Sequence, residues 1–246
     1  MTFLKSPVTA SIEYCWGMKR QKTQKSENRG NYAAYYGYRQ NDKRIEILSE
    51  LDLESKRVLD IGCNSGRILV ELLKKSNPAL MLGIDCDRTL IKKAWNHLSL
   101  EFSLHKPYTK EPYFPLSCPL TLGSIPHPQV AKFKCLDICA DTLEGNFDVV
   151  LCLSVTKWIH LDYGDEGIKN LFGKVFQCLN VGGVFILEPQ LFKSYKKKSK
   201  SEFYESIKLF PEAFPEYLRQ LGFEFIETKY TGETGGFDRP IHIFRK

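Results

Sequence analysis

From residue 57 onward the chain is divided into short apolar blocks of two kinds. Val58–Ile61, Ala79–Ile84, Phe133–Ile138, Phe147–Leu153 and Val184–Leu187 are brief, nearly continuous apolar runs. Their length and composition predict buried strands. Between them, Ile68–Leu73, Thr89–Leu100 and Gly167–Leu179 carry apolar residues at helical spacing, with Leu90, Ile91, Ala94, Trp95 and Leu98 sharing one face of the second. Phe147–Leu153 (FDVVLCL) shows no alternation, as expected of a central parallel strand covered on both faces. Strands that alternate with helices predict an α/β fold with a doubly wound, mostly parallel sheet. In the tail, a helix near Pro215–Leu221 precedes two closing strands, Phe223–Lys229 and Ile241–Arg245, which brings the sheet to seven strands. That hairpin predicts one antiparallel strand at the sheet edge. Upstream, Arg44–Leu53 predicts a helix leading into the core.

Two segments fall outside this pattern. Residues 1–29 are polar and basic without a period, which predicts a mobile arm. Residues 105–130 hold six of the 12 prolines, which predicts an insertion and not a regular element. The expected organisation is therefore a basic N-terminal segment, 1–29, and one domain, 30–246, with a Pro-rich insertion at 105–130.

Charge adds a candidate partner. The formal net charge is +6 over 246 residues, and the excess is local. Lys19, Arg20, Lys22, Lys25 and Arg29 form one cluster, and Lys193, Lys196, Lys197, Lys198 and Lys200 form another. Such clusters fit a solvated loop or a nucleic-acid contact equally well. The eight cysteines include no CxxC pair, so buried reduced thiols and an intracellular location are expected. Cys135 and Cys139 have a loose metal-like spacing with no second pair beside them, and no metal is expected. No apolar run approaches the ~20 residues of a membrane span, so no membrane partner is expected.

The chemistry concentrates at the carboxyl ends of the expected strands, where such sheets bind ligands. The turn Asp60-Ile61-Gly62-Cys63-Asn64-Ser65-Gly66 links a strand to a helix. Its glycines stand in a GxxxG pattern and not the GxGxxG of a pyrophosphate-binding turn, which favours a phosphate-free ligand such as S-adenosylmethionine. Asp85 ends the next strand, where a carboxylate accepts ribose hydroxyls. The turn and Asp85 point to the class I S-adenosylmethionine-dependent methyltransferase sheet. After the fourth strand, Leu153–Gly167 (LSVTKWIHLDYGDEG) places Lys157, Trp158, His160 and an acidic patch on the same edge. A capped helix start explains this segment as well as a substrate site does. Glu188-Pro189-Gln190 follows the fifth strand.

With these stretches in hand, the chain resembles the bicoid-interacting-protein-three family of RNA methyltransferases, of the methylphosphate capping enzyme type. The resemblance rests on Gly30–Arg39 (GNYAAYYGYR), Val58–Asn64, Gly83–Ile91, Leu151–Gly167, Leu187–Gln190 (LEPQ) and Gly236–Lys246. It implies methyl transfer from S-adenosyl-L-methionine to the 5′-terminal phosphate of a small non-coding RNA. Carried onto matching positions, it implies that Tyr36, Arg44, Gly62, Cys63 and Asn64 meet the cofactor, with Asp85 and Cys86 at its ribose. Asp137 and Ile138 would lie near the adenine and Leu153 beneath the methionine part. It implies Tyr35, Arg39, Lys157 and His160 as the residues that hold the phosphate. A nuclear location, with the cytoplasm as a second one, and a La-related protein within a ribonucleoprotein follow from the same resemblance. A related branch methylates 5′-monophosphates and lacks the tyrosine-rich YYGYR segment. This chain has it, which favours the γ-phosphate of a 5′-triphosphate. One departure is that Leu191 and Phe192 stand where the family often has a tryptophan.

Two rivals remain at this level. One is a base or protein methyltransferase on the same fold, although LSVTKW stands where an NPPY-type motif would be. The other is an RNA-binding scaffold without turnover. If the lysine clusters contact RNA, affinity falls steeply with added salt. Binding measured at two salt concentrations checks this, and a salt-independent affinity would remove the clusters from the interface.

Overall fold

Apolar runs without alternation have to be covered on both faces, and this decides which strands are central. The computed structural model describes residues 41–104, 130–198, 201–233 and 238–246. Its strands are β1 (Arg57–Ile61), β2 (Leu80–Asp85), β3 (Ala131–Cys135), β4 (Phe147–Leu153), β5 (Leu179–Glu188), β6 (Glu224–Lys229) and β7 (Ile241–Arg245). Its helices are α1 (Arg44–Leu48), α2 (Arg67–Leu73), α3 (Arg88–Leu104), α4 (Thr156–Cys178) and α5 (Phe214–Leu221). The strands form one seven-stranded sheet in the order β3-β2-β1-β4-β5-β7-β6. The order reverses between β1 and β4, and all strands from β1 to β5 run parallel. The doubly wound sheet expected from the sequence is therefore present. The expected basic arm at 1–29 and nearly all of the Pro-rich insertion at 105–130 lie outside the described residues.

Each face of the sheet carries its own core. On one, α4 and α5 bury Phe172, Val175, Phe214 and Leu218 against Phe147, Phe185 and Phe244. On the other, α1, α2 and α3 bury Leu48, Leu69, Leu72, Ala94 and Leu98 against Val58, Met81, Val149 and Ile186. Phe214 joins the first core edge-on to Phe172, with ring centroids 5.2 Å apart.

Several boundaries differ from the sequence pattern for identifiable reasons. The antiparallel strand is not the edge strand: β7 slots between β5 and β6. β7 buries Ile241, Ile243 and Phe244, whereas β6 (EFIETK) has no buried residue, so the more apolar strand takes the inner place. Helix α1 stops at Leu48, although apolar positions continue to Leu53, because Leu53 stays buried as irregular chain. Strand β5 starts at Leu179 and carries the Val181–Gly183 turn within it. Gly182, at φ +77°, donates its N–H to the Lys246 carbonyl at 2.7 Å, and Lys246 N–H returns to Gly183 O at 3.0 Å. Helix α4 begins at Thr156, eleven residues before the expected Gly167, and is interrupted by Gly164 at φ 61°, ψ −160°. No helix among the described residues is long and apolar enough to cross a membrane.

Phe214→Ala removes a fully buried ring from the α4/α5 core. It is expected to cost about 3–5 kcal/mol, measurable by denaturant unfolding with an unchanged m-value.

Candidate active site

The turn between β1 and α2 is built by hydrogen bonds to the end of β2. Gly62 and Cys63 both donate their N–H to the Ile84 carbonyl, at 2.8 and 2.9 Å. Asn64 N–H donates to Asp85 Oδ2 at 3.0 Å, Ser65 N–H to Asn64 Oδ1 at 2.8 Å, and Gly66 N–H to Cys63 O at 2.9 Å. Five consecutive N–H groups are thus satisfied within the protein. A phosphate-binding turn works the other way, with its N–H groups pointing out at the anion. The expectation of a phosphate-free ligand therefore has a structural basis in this turn.

The glycines have a second reason to be there. Gly62 and Gly66 both lie at φ +73°, where other residues are strained. A Cβ on Gly62 would stand 2.3 Å from Val155 Cγ2, and one on Gly66 would stand 2.7 Å from the Phe133 ring. The space that the glycines leave is filled by the protein's own side chains, not held open for a ligand.

Asp85 accepts from Asn64 at one oxygen and from Asp87 N–H at the other, 2.9 Å away. Burial, ahead of all other causes, raises its carboxyl above the usual range. Asp60, beneath the same turn, is buried and pushed up to about 7; desolvation outweighs the opposing charge of Arg44. Cys63 is buried, and its thiol is raised well above normal by the same cause and by Asp60 and Asp85. Cys86 is exposed, its carbonyl 3.5 Å from Cys135 Sγ, and Cys135 is exposed too, so among the described residues the expectation of buried thiols fits Cys63, Cys152 and Cys178. Asp137, after β3, accepts the Tyr163 hydroxyl at 2.7 Å, and Ile138 and Leu153 are buried. Apart from Arg44, which lies in α1, the described part of the expected cofactor set follows the ends of β1 to β4. Tyr35, Tyr36 and Arg39 lie outside the described residues.

The ends of β4 and β5 are tied by a polar clamp that the sequence showed only as a motif. Arg44 is 2% exposed and holds Asp42 through Nε at 2.8 Å and Glu188 through Nη1 at 2.9 Å. Glu188 also accepts the Ser154 hydroxyl at 2.6 Å, and Arg239 donates to that hydroxyl at 2.8 Å. Ser154 itself sits at φ 62°. Gln190 donates to the Ser154 carbonyl, and its Oε1 accepts Lys157 N–H at 3.1 Å and the Thr156 hydroxyl at 3.3 Å. It therefore caps the first turn of α4 from just beyond the end of β5. Arg44, expected at the cofactor, is placed as the counter-ion of two buried carboxylates. Ser154, Gln190 and Tyr163 were not singled out as site residues, since their partners lie 26 to 36 positions away.

Lys157 is 9% exposed; its ammonium donates to the Ser194 carbonyl at 2.7 Å and lies 5.3 Å from the Trp158 ring centre and 5.7 Å from that of Tyr195. His160 is fully buried. Its Nε2 meets Asp165 Oδ1 at 3.1 Å and its Nδ1 meets the Tyr195 hydroxyl at 3.3 Å. Both ring nitrogens are engaged within the protein, so the geometry does not present His160 to a phosphate as the sequence suggested.

Comparison with known proteins gives the family. The family model for Bicoid-interacting protein 3 (Bin3) matches residues 147–246. A U6 snRNA methylphosphate capping enzyme of Drosophila melanogaster is 37% identical, over 88% of this chain and 74% of its own. The chain belongs to the Bin3 family. Another Bin3 relative, the 7SK snRNA methylphosphate capping enzyme of Mus musculus, is 35% identical over 88% of this chain, and the match spans only 40% of the mouse protein. A pre-miRNA 5′-monophosphate methyltransferase of Xenopus laevis is 25% identical over 70% of this chain and 69% of its own. Among solved structures, the N-methyltransferase NodS of Bradyrhizobium japonicum, in complex with S-adenosyl-L-homocysteine, superposes with a TM-score of 0.59. It is 15% identical and covers 85% of this chain and 90% of its own. That likeness fixes the fold as the class I methyltransferase sheet.

Asp60 links the site to pH. Its carboxyl is held near 7 when folded against an ordinary 3.8. Between those values the unfolded chain releases a proton that the folded chain keeps, so stability falls as pH rises from about 4 to about 7, by roughly 4 kcal/mol at most. Asp60→Asn is expected to flatten this decline and to stabilise the protein at pH 8 but not at pH 4. Urea unfolding across that range measures it, and an unchanged pH slope would contradict it.

Proposed function

We propose that this chain methylates the 5′-terminal phosphate of a small non-coding RNA, with S-adenosyl-L-methionine as donor, and that the phosphate is the γ-phosphate of a 5′-triphosphate. One observation carries the reading: the likeness to methylphosphate capping enzymes, at 35% and 37% identity, exceeds that to the 5′-monophosphate branch, at 25%. The YYGYR segment at 35–39 supports the same choice. A nuclear location and assembly with a La-related protein belong to the same proposal.

The residues present fit the donor. Gly62–Asn64 form a turn whose N–H groups are all used internally, which suits a ligand without phosphate. Asp85, ending β2, holds that turn and keeps lone pairs suited to ribose hydroxyls. When bound, the donor supplies a methyl group that is already electrophilic.

A phosphate oxygen is an anion at neutral pH and needs no general base. The protein's task is then to bring oxygen and methyl into line at near-attack distance, which contributes several kcal/mol. Lys157 suits that task. Its backbone is fixed by Gln190, and its ammonium is held between Trp158, Tyr195 and Ser194. Tyr35 and Arg39 are assigned to the same phosphate from the sequence. A charge-assisted contact orients the anion while leaving one oxygen for reaction.

The test is to incubate the chain with methyl-labelled donor and RNAs ending in 5′-triphosphate, 5′-monophosphate or 5′-hydroxyl. Label on the triphosphate end alone is expected. Label on the monophosphate end would move the chain to the other branch, and label on bases or on no RNA would overturn the reading. Lys157→Ala is expected to lower turnover on the order of 10²-fold, the cost of removing one preorganised charge donor, with donor affinity kept. Tyr35→Phe is expected to act in the same direction, and full activity in either variant would refute its assignment.

A further inference from the structure

We propose that His160, Tyr195 and Asp165 are positioning residues for Lys157, acting through a buried chain of hydrogen bonds that ends on Gln190. The proposal rests on the reading of Lys157 as the phosphate-holding cation and adds a role for side chains that the substrate does not reach.

The chain can be followed link by link. Asp165 Oδ1 accepts from His160 Nε2 at 3.1 Å. His160 Nδ1 faces the Tyr195 hydroxyl at 3.3 Å. The oxygen of that hydroxyl also accepts from the Thr156 side chain, whose single proton it shares with Gln190. Thr156 Oγ1 donates to Gln190 Oε1 at 3.3 Å, and the same oxygen accepts Lys157 N–H at 3.1 Å. The other end of Lys157 is held by the same group, because its ammonium donates to the carbonyl of Ser194 and lies over the ring of Tyr195. Both the backbone and the tip of Lys157 are thus fixed by groups that Tyr195 and Gln190 connect.

The far end is anchored too. Asp165 Oδ2 accepts the N–H groups of Lys208 and Leu209, each at 3.0 Å, in the segment leading to α5. In an unbroken helix, residues five apart sit about 140° apart around the axis, which would turn Asp165 away from His160. The break at Gly164 brings the two together, and Phe203, 3.0 Å from where a Cβ on Gly164 would stand, fills the space beside it. The protons follow from the partners: a carboxylate can only accept, so Nε2 carries hydrogen and Nδ1 accepts from the tyrosine. That is the neutral imidazole, and burial lowers the His160 pKa in keeping with it.

Packing alone would not select these side chains. Each buried polar group has to be partnered or costs free energy, and an apolar trio would fill the same volume more simply. A connected polar chain does what apolar packing cannot, because it selects one geometry. A lysine has four rotatable bonds, and restricting them beforehand removes an ordering cost from the reaction step.

Two measurements on the full chain test this. The first is methyl transfer to 5′-triphosphate RNA by Tyr195→Phe, which keeps the ring over Lys157 and removes the hydroxyl. The second is the rate at which an amine-reactive ester modifies Lys157, followed by mass spectrometry without RNA or donor. Loss of one link is expected to lower kcat about five- to tenfold, to leave the KM for donor at the wild-type value, and to speed Lys157 modification by a similar factor. Thr156→Val, of similar shape, breaks the chain one link further on and is expected to match; it stands in if Tyr195→Phe does not fold. Wild-type kcat and wild-type labelling in a folded variant would overturn the proposal, and so would a lower kcat with unchanged labelling. If the wild-type chain transfers no methyl to RNA, the function proposed above fails, and the labelling arm still decides whether the hydrogen-bond chain positions Lys157.

Discussion

The buried carboxylate of Glu188 is the group on which the carboxyl edge of this sheet depends. A charge taken out of water has to be met by partners of matching chemistry, and at the end of β5 those partners come from three separate parts of the chain. Arg44 arrives from α1, Ser154 from the end of β4, and Arg239 joins through the Ser154 hydroxyl from just before β7. Two residues on, Gln190 fixes the start of α4 through Ser154, Thr156 and Lys157. The motif Glu188-Pro189-Gln190 is thus a clamp: one side chain balances charge while the other caps a helix. Without it, the segment carrying Lys157 would have neither a fixed start nor a fixed direction.

The opposite half of the edge is organised by a different economy. Around Gly62 the backbone uses its own donors: every N–H from Gly62 to Gly66 finds an acceptor on β2 or within the turn. The result is a closed, neutral surface with acidic groups beneath it, and no cradle for an anion. The two halves therefore differ in electrostatic character. Acidic side chains lie near the ends of β1 and β2, and a restrained lysine lies at the start of α4. The proposed function would set a cationic methyl donor and an anionic acceptor on one sheet edge, each served by different groups.

The local pattern carried far into the fold. The continuous apolar run of Phe147–Leu153 announced β4 as a central strand, and its burial follows from its having no polar face to turn to water. The GxxxG turn and Asp85 were legible because a sharp strand-to-helix turn needs left-handed backbone, which glycine adopts at low cost. Asp137 entered only through the family resemblance, and the structure places it just after β3. His160 was legible as a candidate, and the structure gives both of its ring nitrogens partners inside the protein. Its spacing from Lys157 is compatible with a shared helix face, and nothing local reveals that Tyr195 and Asp165 take both ring nitrogens.

By itself, then, the sequence determined the order of strands and helices, the glycine turn, the family and the edge where chemistry gathers. These depend on periodicity, turn chemistry and motif, all of which are properties of short segments. Only the tertiary structure decided that β7 enters between β5 and β6, that α4 starts at Thr156, that Arg44 balances Glu188 144 positions away, and that His160 faces inward. Each of these is the partner choice of a buried strand or polar group. A buried group takes whichever partner the packed chain brings within reach, and separation along the sequence does not limit that choice.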